Sequence, residues 1–194
     1  MSFEVNGTTE LNYVYRGTTT VARATLFSAR IRDMIYVRPG GATFDNSRKA
    51  RANGAEVELE QQIGTRLKAQ AGVSYVDAED TRNAAAVLST PAASTRWLGN
   101  LALLLRAGSR SLFGLHYRCV GKPEVSSVNA NAKAYHLVGF TATQKGLLVQ
   151  GLEVRAGVKN LFDSEPRYVL QQPNTVDVYA YPGRTYFLQL GWNP

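Results

Sequence analysis

Cysteine and long hydrophobic segments are almost missing from this sequence. Cys119 is the single cysteine among 194 residues, so the chain has no disulfide framework and no cysteine-based metal site. No apolar run approaches the roughly 20 residues that a membrane helix needs. Helical periodicity is also scarce. These absences exclude a helical membrane protein and a disulfide-stabilised domain.

Motifs for catalysis, cofactors and metals are missing too. The chain has no nucleophile elbow, no phosphate-binding loop and no zinc motif. His116 and His136 fall in different segments and lack the spacing of metal ligands. We therefore expect that the protein is not an enzyme and that it binds no metal or cofactor of its own.

Acidic residues are outnumbered by basic ones, 15 to 22, which gives a formal charge of +7. A basic balance suits nucleic acid, an anionic lipid surface or an anionic ligand. The cations are spread along the chain, and their densest cluster, Arg48, Lys49 and Arg51, is short and has no aromatic residue within it. Since a nucleic-acid footprint concentrates charge on one element, we expect no nucleic-acid partner.

Strict alternation of apolar and polar residues is the strongest signal that is present. In residues 152–159 the even positions are Leu, Val, Ala and Val, and the odd positions are Glu, Arg, Gly and Lys. The alternation stops at Asn160. This period of two predicts a β-strand with two different faces. Similar segments bring the total to roughly nine strands of an all-β, antiparallel fold. They cover residues 4–15, 18–37, 54–60, 67–75, 94–107, 110–120, 133–145 and 185–192.

Short and long connections alternate between these segments. Residues 62–65 and 107–110 are tight turns, whereas residues 38–47, 77–93, 122–132 and 163–178 are long and polar. A transmembrane β-barrel has this asymmetry, with tight turns at one end and long loops at the other. Aromatic residues near strand ends fit the interfacial girdles of such a barrel. They are Tyr75, Trp97, Tyr117, Tyr135, Tyr168, Tyr181 and Trp192.

The polar strand faces supply the candidates for a lumen surface that contacts a ligand. Glu56, Glu58 and Glu60 share one face, and paired carboxylates are capable of acid–base or metal chemistry. A solvated face is the more common role of such a row, and we expect Lys68, Arg155 and Lys159 to balance its charge. The full set of candidates is Glu56, Glu58, Glu60, Lys68, Gln70, His116, Arg118, Glu153, Arg155 and Lys159.

Three segments resemble the C-terminal barrel region of TonB-dependent outer-membrane receptors of the siderophore type. They are RANGAEVEL at residues 51–59, VKNLFD at 158–163 with Pro166 and Tyr168 after it, and YPGRTYFLQL at 181–190. Residues 24–27 and 32–35 are similar to a further strand of that family. The order and spacing of the segments fit over essentially the whole chain. The motif residues are Asn160, Leu161, Phe162, Asp163, Tyr168, Gly183 and Arg184.

The resemblance implies an antiparallel transmembrane barrel segment within a larger barrel of about 22 strands. Residues 1–194 would be its C-terminal portion, with the plug domain and the N-terminal barrel strands absent from the sequence. The expected function is uptake of a ferric siderophore or similar chelate across the bacterial outer membrane. The expected partners are outer-membrane lipid, that ligand, and the TonB–ExbB–ExbD system acting through the absent plug domain.

The motif residues also have a local interpretation. Asn160 and Asp163 favour a turn because their side chains bond nearby backbone groups, and this explains them without a ligand role. We expect Leu161 and Phe162 to pack where the strand meets its loop. Gly183 would give the backbone freedom at the bend into the last strand. We expect Arg184 to be solvated rather than bound to an anion.

Some features depart from the family. The chain ends Trp192-Asn193-Pro194 rather than on a terminal aromatic residue, and residues 1–4 show no signal peptide, so export of this chain as it stands is not expected. Two other interpretations remain open. One is a small passive or structural outer-membrane barrel that closes with about eight strands. The other is a soluble β-barrel or sandwich that binds an apolar ligand.

Overall fold

The computed structural model describes residues 3–37, 44–81, 95–123, 133–147, 149–171, 176–180 and 182–192. Within these ranges the chain is all β, and the nine-stranded antiparallel sheet confirms the predicted fold class. No helix in the described part of the chain is long and apolar enough to cross a membrane. The strands are β1 (Val5–Arg16), β2 (Thr20–Val37), β3 (Phe44–Ile63), β4 (Leu67–Thr81), β5 (Trp97–Ala107), β6 (Ser111–Val120), β7 (Tyr135–Lys145), β8 (Leu152–Lys159), β9 (Arg167–Gln171), β10 (Val176–Ala180) and β11 (Thr185–Trp192).

The large sheet is an antiparallel meander in the order β1-β2-β3-β4-β5-β6-β7-β8-β11. Strands β9 and β10 form a separate two-stranded hairpin within the connection from β8 to β11. The sequence predicted residues 163–178 as a long polar loop, so the hairpin is a correction. Strand β3 is also longer than predicted, because its pairing continues well beyond the alternating segment to Phe44.

The tight connections all lie at one end of the sheet, as predicted. Gly64 and Gly108 have φ values of 59° and 70° in the β3–β4 and β5–β6 turns. Glycine adopts this left-handed conformation without a steric cost, which explains its presence in both turns. The β1–β2 and β7–β8 connections lie at the same end, called here the short-turn end. The longer connections lie at the opposite, long-loop end.

One face of the large sheet is apolar. The register places Val158 of β8 opposite both Phe140 of β7 and Tyr186 of β11. The same face carries Leu101, Leu103 and Leu105 on β5, and Val57 and Leu59 on β3. These cross-strand rows form a continuous band, which we call the apolar face.

The apolar face is uncovered. Leu188 and Leu190 are 68% and 64% exposed. Among the described residues, the buried hydrophobic side chains of the sheet are Val120 and Tyr135, and both lie on the opposite face. A soluble barrel or sandwich buries its apolar face in a core. This sheet leaves that face exposed instead, and the apolar face of a membrane barrel likewise contacts lipid rather than a protein core.

Aromatic residues lie at both ends of the apolar face. Tyr75 and Trp97 pair directly across β4 and β5 toward the long-loop end, with ring centroids 4.7 Å apart. Trp192 marks the short-turn end. Tyr135 was predicted to belong to these girdles, but it lies on the other face opposite Val120 and is 9% exposed. Tyr181 lies outside the described residues.

Candidate functional site

The second face of the sheet gathers the predicted lumen residues. The register places Glu58 opposite Arg23 and Gly72, His116 opposite Ala102 and Gly139, and Arg155 opposite Thr143 and Gln189. All ten candidates share this polar face, which the alternation of the sequence predicted. They are Glu56, Glu58, Glu60, Lys68, Gln70, His116, Arg118, Glu153, Arg155 and Lys159.

The glutamate row of β3 finds its counter-charges on adjacent strands. Arg23 of β2 contacts Glu58 at 3.2 Å. Lys68 of β4 contacts Glu60 at 2.7 Å, and the Gln70 amide donates to Glu60 at 2.9 Å. The prediction of Lys68 as a balancing residue is therefore confirmed for Glu60.

Arg155 and Lys159 do not balance the glutamate row. They lie on β8, which is separated from β3 by four strands of the sheet. Their charged groups instead lie over the ring of Phe187, at 6.0 Å and 5.8 Å from its centroid. Both distances fall in the range of cation–π attraction. The sequence did not reveal this aromatic residue, because Phe187 sits at a polar position of the β11 alternation.

Phe187 also covers a glycine on the neighbouring strand. It stands directly opposite Gly157, and a Cβ at that glycine would lie 2.6 Å from the Phe187 ring and 2.6 Å from the carbonyl oxygen of Phe140. Phe27 covers Gly54 between β2 and β3 in the same way. An aromatic ring laid across a glycine restores the side-chain packing that the glycine lacks.

Two open recesses lie on the polar face. The first holds about 380 Å³ and is lined by charges of both signs, including Arg23, Glu58 and Glu60. The second holds about 430 Å³ near the short-turn end, and four of the five charged residues that line it are cations, namely Arg106, Arg110, Lys145 and Arg155, with Glu153 as the acidic one. His116 borders both recesses. The second recess therefore has the charge to attract an anion.

The motif segment after β8 folds into a turn. Asn160 has a φ of 52° and is only 4% exposed. Its side-chain oxygen accepts the Ser164 N–H at 2.9 Å, and its amide donates to the Ser164 carbonyl at 2.8 Å and to that of Pro182 at 3.4 Å. The predicted turn chemistry is thus confirmed. The bond to Pro182 also joins this turn to the motif at residues 181–190. The sequence did not show that contact.

Asp163 makes a second link between the two motifs. Its carboxylate accepts the backbone N–H of Arg184 at 2.7 Å. A Cβ at Gly183 would lie 2.8 Å from the same carboxylate oxygen. Gly183 therefore allows the Asp163 carboxylate to approach closely, and it does not adopt the left-handed backbone that would use the freedom we predicted. The Arg184 side chain is exposed, as expected for a solvated residue.

The remaining motif residues are placed differently. Leu161 is half-buried and its N–H donates to the Val138 carbonyl at 2.7 Å, so it packs at the strand end as predicted. Phe162 is 70% exposed, and the prediction that it packs there is wrong. The reversal of the chain between Asn160 and Asp163 turns it away from the sheet. Tyr168 lies in β9 opposite Tyr179.

The polar face carries charged and polar groups rather than a cluster of metal ligands. The titratable side chains that the structure describes contain no group of three or more His, Cys, Asp and Glu residues able to hold a metal ion. The groups present are ion pairs, amides, an imidazole and cations near an aromatic ring. Such groups attract charged solutes.

A sequence profile of the family described as TonB dependent receptor-like, beta-barrel matches residues 4–161. The chain belongs to this family. No curated protein sequence matches it significantly. Homologues with this barrel are transporters and receptors of the bacterial outer membrane. They import ferric siderophores and metals.

Solved structures of other receptors share the fold. The ferric yersiniabactin uptake receptor FyuA from Yersinia pestis superposes with a TM-score of 0.82 at 18% identity, over 97% of this chain and 30% of that one. The ferric-catecholate import receptor Fiu from E. coli K12 gives 0.75 at 18%, over 97% and 27%. The copper transporter OprC gives 0.73 at 17%, over 97% and 31%. This TonB-dependent receptor barrel therefore spans less than a third of the length of these relatives.

Proposed function

We propose that residues 1–194 form the C-terminal part of the barrel of an outer-membrane TonB-dependent receptor that takes up a ferric siderophore or similar chelate. The observation that carries this proposal is the pairing of an uncovered apolar face with a charged polar face on one sheet. Lipid would contact the first face and the receptor lumen would be lined by the second. The complete barrel would have about 22 strands, as in the outer-membrane transporters whose lumen is plugged.

The open order of the sheet supports a larger barrel. Strands β1 and β11 are its two edges, and an unpaired edge in hydrocarbon costs several kcal/mol for each unsatisfied backbone group. Further strands pairing with β1 and β11 would satisfy those groups. The small closed barrel lacks this support, because closure would need β1 and β11 to pair with each other. The soluble alternative is disfavoured by the exposure of Leu188 and Leu190.

The basic recess supports an anionic ligand. Ferric chelates with carboxylate or catecholate donors carry negative charge, and Arg106, Arg110 and Arg155 line one recess of the polar face. Charges in a confined channel raise the local concentration of an oppositely charged solute. Uptake would be coupled to the TonB–ExbB–ExbD system through a plug domain that occupies the lumen.

The test uses the whole receptor that contains this barrel, with its plug domain. Binding of radiolabelled ferric chelates of the catecholate, carboxylate and hydroxamate classes is measured on purified outer membranes. The Arg110→Gln, Arg155→Gln double variant is expected to weaken binding of the preferred chelate about 100-fold or more, because each lost charge-assisted contact costs about 1.5–3 kcal/mol. Arg66→Gln, in the β3–β4 turn, is the matched control and should bind normally.

Two binding results would contradict this function. A receptor that binds no ferric chelate of any class, or whose binding is unchanged in the double variant and in deletions of the long loops, would contradict it.

A further inference from the structure

The connection between β7 and β8 is apolar, unlike the other three connections at the short-turn end. Those three, at residues 17–19, 64–66 and 108–110, consist of glycine, threonine, serine and arginine. The β7–β8 connection instead reads Gly-Leu-Leu-Val-Gln-Gly over residues 146–151. Its Leu147 and Val149 are 56% and 53% exposed. We call residues 146–151 the apolar turn.

The backbone of the apolar turn holds these side chains in the open. Gly146 and Gly151, at its two ends, have φ values of 62° and 88°, where glycine meets no steric cost. The Gly146 N–H donates to the Leu152 carbonyl at 2.6 Å, and the Leu152 N–H donates to the Val149 carbonyl at 3.2 Å. The turn therefore has a fixed shape, and the exposure of its apolar residues belongs to that shape.

The apolar turn continues the apolar face beyond its edge. Leu152 follows the turn directly, and it lies on the apolar face opposite Trp192. Trp192 is 61% exposed. Tryptophan favours the boundary between hydrocarbon and water, because its ring is apolar and its N–H is polar. Leu147 and Val149 therefore extend a surface whose neighbouring edge already suits lipid.

The reach of the apolar turn matches the thickness of the lipid headgroup layer. Residues 147–151 double back beyond the bond between Gly146 and Leu152, so the tip lies about two to three residues past that bond. This corresponds to about 8 Å along a strand, or about 6 Å in height at a strand tilt near 40°. The headgroup layer extends about 5–8 Å beyond the hydrocarbon on each side. The tip therefore stays within that layer.

We propose that the apolar turn inserts among the phospholipids of the inner leaflet of the outer membrane. Leu147 and Val149 would contact the glycerol region and the first carbons of the acyl chains, as the apolar side of an interfacial segment does. The inference rests on the proposed placement of the apolar face in the membrane. It uses no residue of the polar face and is independent of the chelate that the lumen would carry.

The test maps the surroundings of the apolar turn in the whole receptor that contains this barrel. Cys119 and any further cysteines are replaced by serine, Leu147→Cys is introduced, and bimane is attached to the new thiol. The receptor is placed in nanodiscs of phosphatidylethanolamine and phosphatidylglycerol, with or without bromine on the upper acyl carbons. Brominated lipid should quench the bimane strongly. Iodide in the water should quench it several-fold less than at Thr65→Cys, the matched control in the polar β3–β4 turn.

A second probe keeps a local defect from deciding the result. Val149→Cys should give the same pattern as Leu147→Cys, and the far-ultraviolet circular dichroism should be unchanged because all three positions lie in turns. The proposal is overturned if iodide quenches positions 147 and 65 equally. It is also overturned if neither quencher reaches position 147, since a protein segment would then cover the turn.

Failure of the lipid contact at the turn is separable from failure of the proposed function. Bimane at Leu188→Cys, on the apolar face, reports the membrane placement through the same brominated lipid. Quenching at position 188 without quenching at 147 would remove only the contact at the apolar turn. Absence of quenching at 188 would remove the membrane placement, and the contact at the turn would fall with it.

Discussion

The carboxylate of Asp163 holds the backbone N–H of Arg184 at 2.7 Å, joining two positions that lie 21 residues apart in the chain. Between them the chain runs out through the β9–β10 hairpin and returns. Asn160 bonds to Ser164 and to Pro182 beside this link. The two family motifs therefore hold together the base of one long loop. We call these hydrogen bonds of Asn160 and Asp163 the clasp.

The Asp163 link can be tested with one substitution. Asp163→Ala should destabilise the chain by about 1–3 kcal/mol, because it removes the acceptor for the Arg184 N–H. The substitution also places alanine at a φ of 54°, which Asp tolerates better. The urea midpoint in detergent micelles measures the effect. Asp163→Asn keeps both an acceptor and tolerance of this φ, so it should retain most of the stability. Equal losses in the two variants would show that the hydrogen bond is not the cause.

The contact of Phe187 with Gly157 makes a second prediction. Gly157→Ala should destabilise the β8–β11 pair by about 1–3 kcal/mol, since the new methyl group would overlap the ring and the Phe140 carbonyl. The control is Gly191→Ala in the same strand pair, where a Cβ would lie 3.8 Å from Glu153. That variant should be neutral or slightly stabilising. Unfolding followed by Trp192 fluorescence compares the two, and equal midpoints would be evidence against the close contact.

The ion pair between Arg23 and Glu58 should add little stability. Their side chains are 51% and 61% exposed, and exposed pairs are worth about 0–1 kcal/mol. A double-mutant cycle with Arg23→Gln and Glu58→Gln should therefore give a coupling free energy below about 1 kcal/mol. Urea titrations of the four proteins provide it. A coupling of several kcal/mol would mean that this part of the polar face is shielded from water.

Labelling of two adjacent residues of β11 measures which face of the sheet contacts lipid and which contacts water. In a Cys119→Ser background, Leu188→Cys should react with a lipid-soluble maleimide, and Gln189→Cys with a water-soluble thiosulfonate. Leu188 belongs to the apolar face and Gln189 to the polar face opposite Arg155. The chain is first reconstituted in phospholipid vesicles, and mass shifts report the labelling. A reversed pattern at the two positions would place the polar face toward lipid.

The sequence predicted features that depend on local patterns. Alternation assigned the facing of Glu58, His116 and Arg155 correctly, because side chains alternate along any strand whatever its neighbours. The turn at Asn160 followed from the short polar side chain alone. The family resemblance added the membership in the receptor barrel family, and the match over residues 4–161 confirms it.

Features set by register could not be predicted in this way. The ion-pair partner of Glu58 is Arg23, and this pairing depends on the register of β2 against β3. The contact between Asp163 and Gly183 likewise spans a long loop. Tyr135 was assigned to the wrong face because proximity to a strand end does not reveal which way a side chain points.

The order of strand pairing has a consequence for folding. Strands β1 to β8 lie in the sheet in their sequence order and are joined by connections of three to fifteen residues. Strand β11 must wait until the 25 residues from 160 to 184 have been brought back on themselves, which costs about 2 kcal/mol more chain entropy than closing a three-residue turn. The hydrogen bonds of Asn160 and Asp163 offset a cost of this size. We therefore expect docking of the final strand to be the slow step of assembly, and the clasp to set its rate.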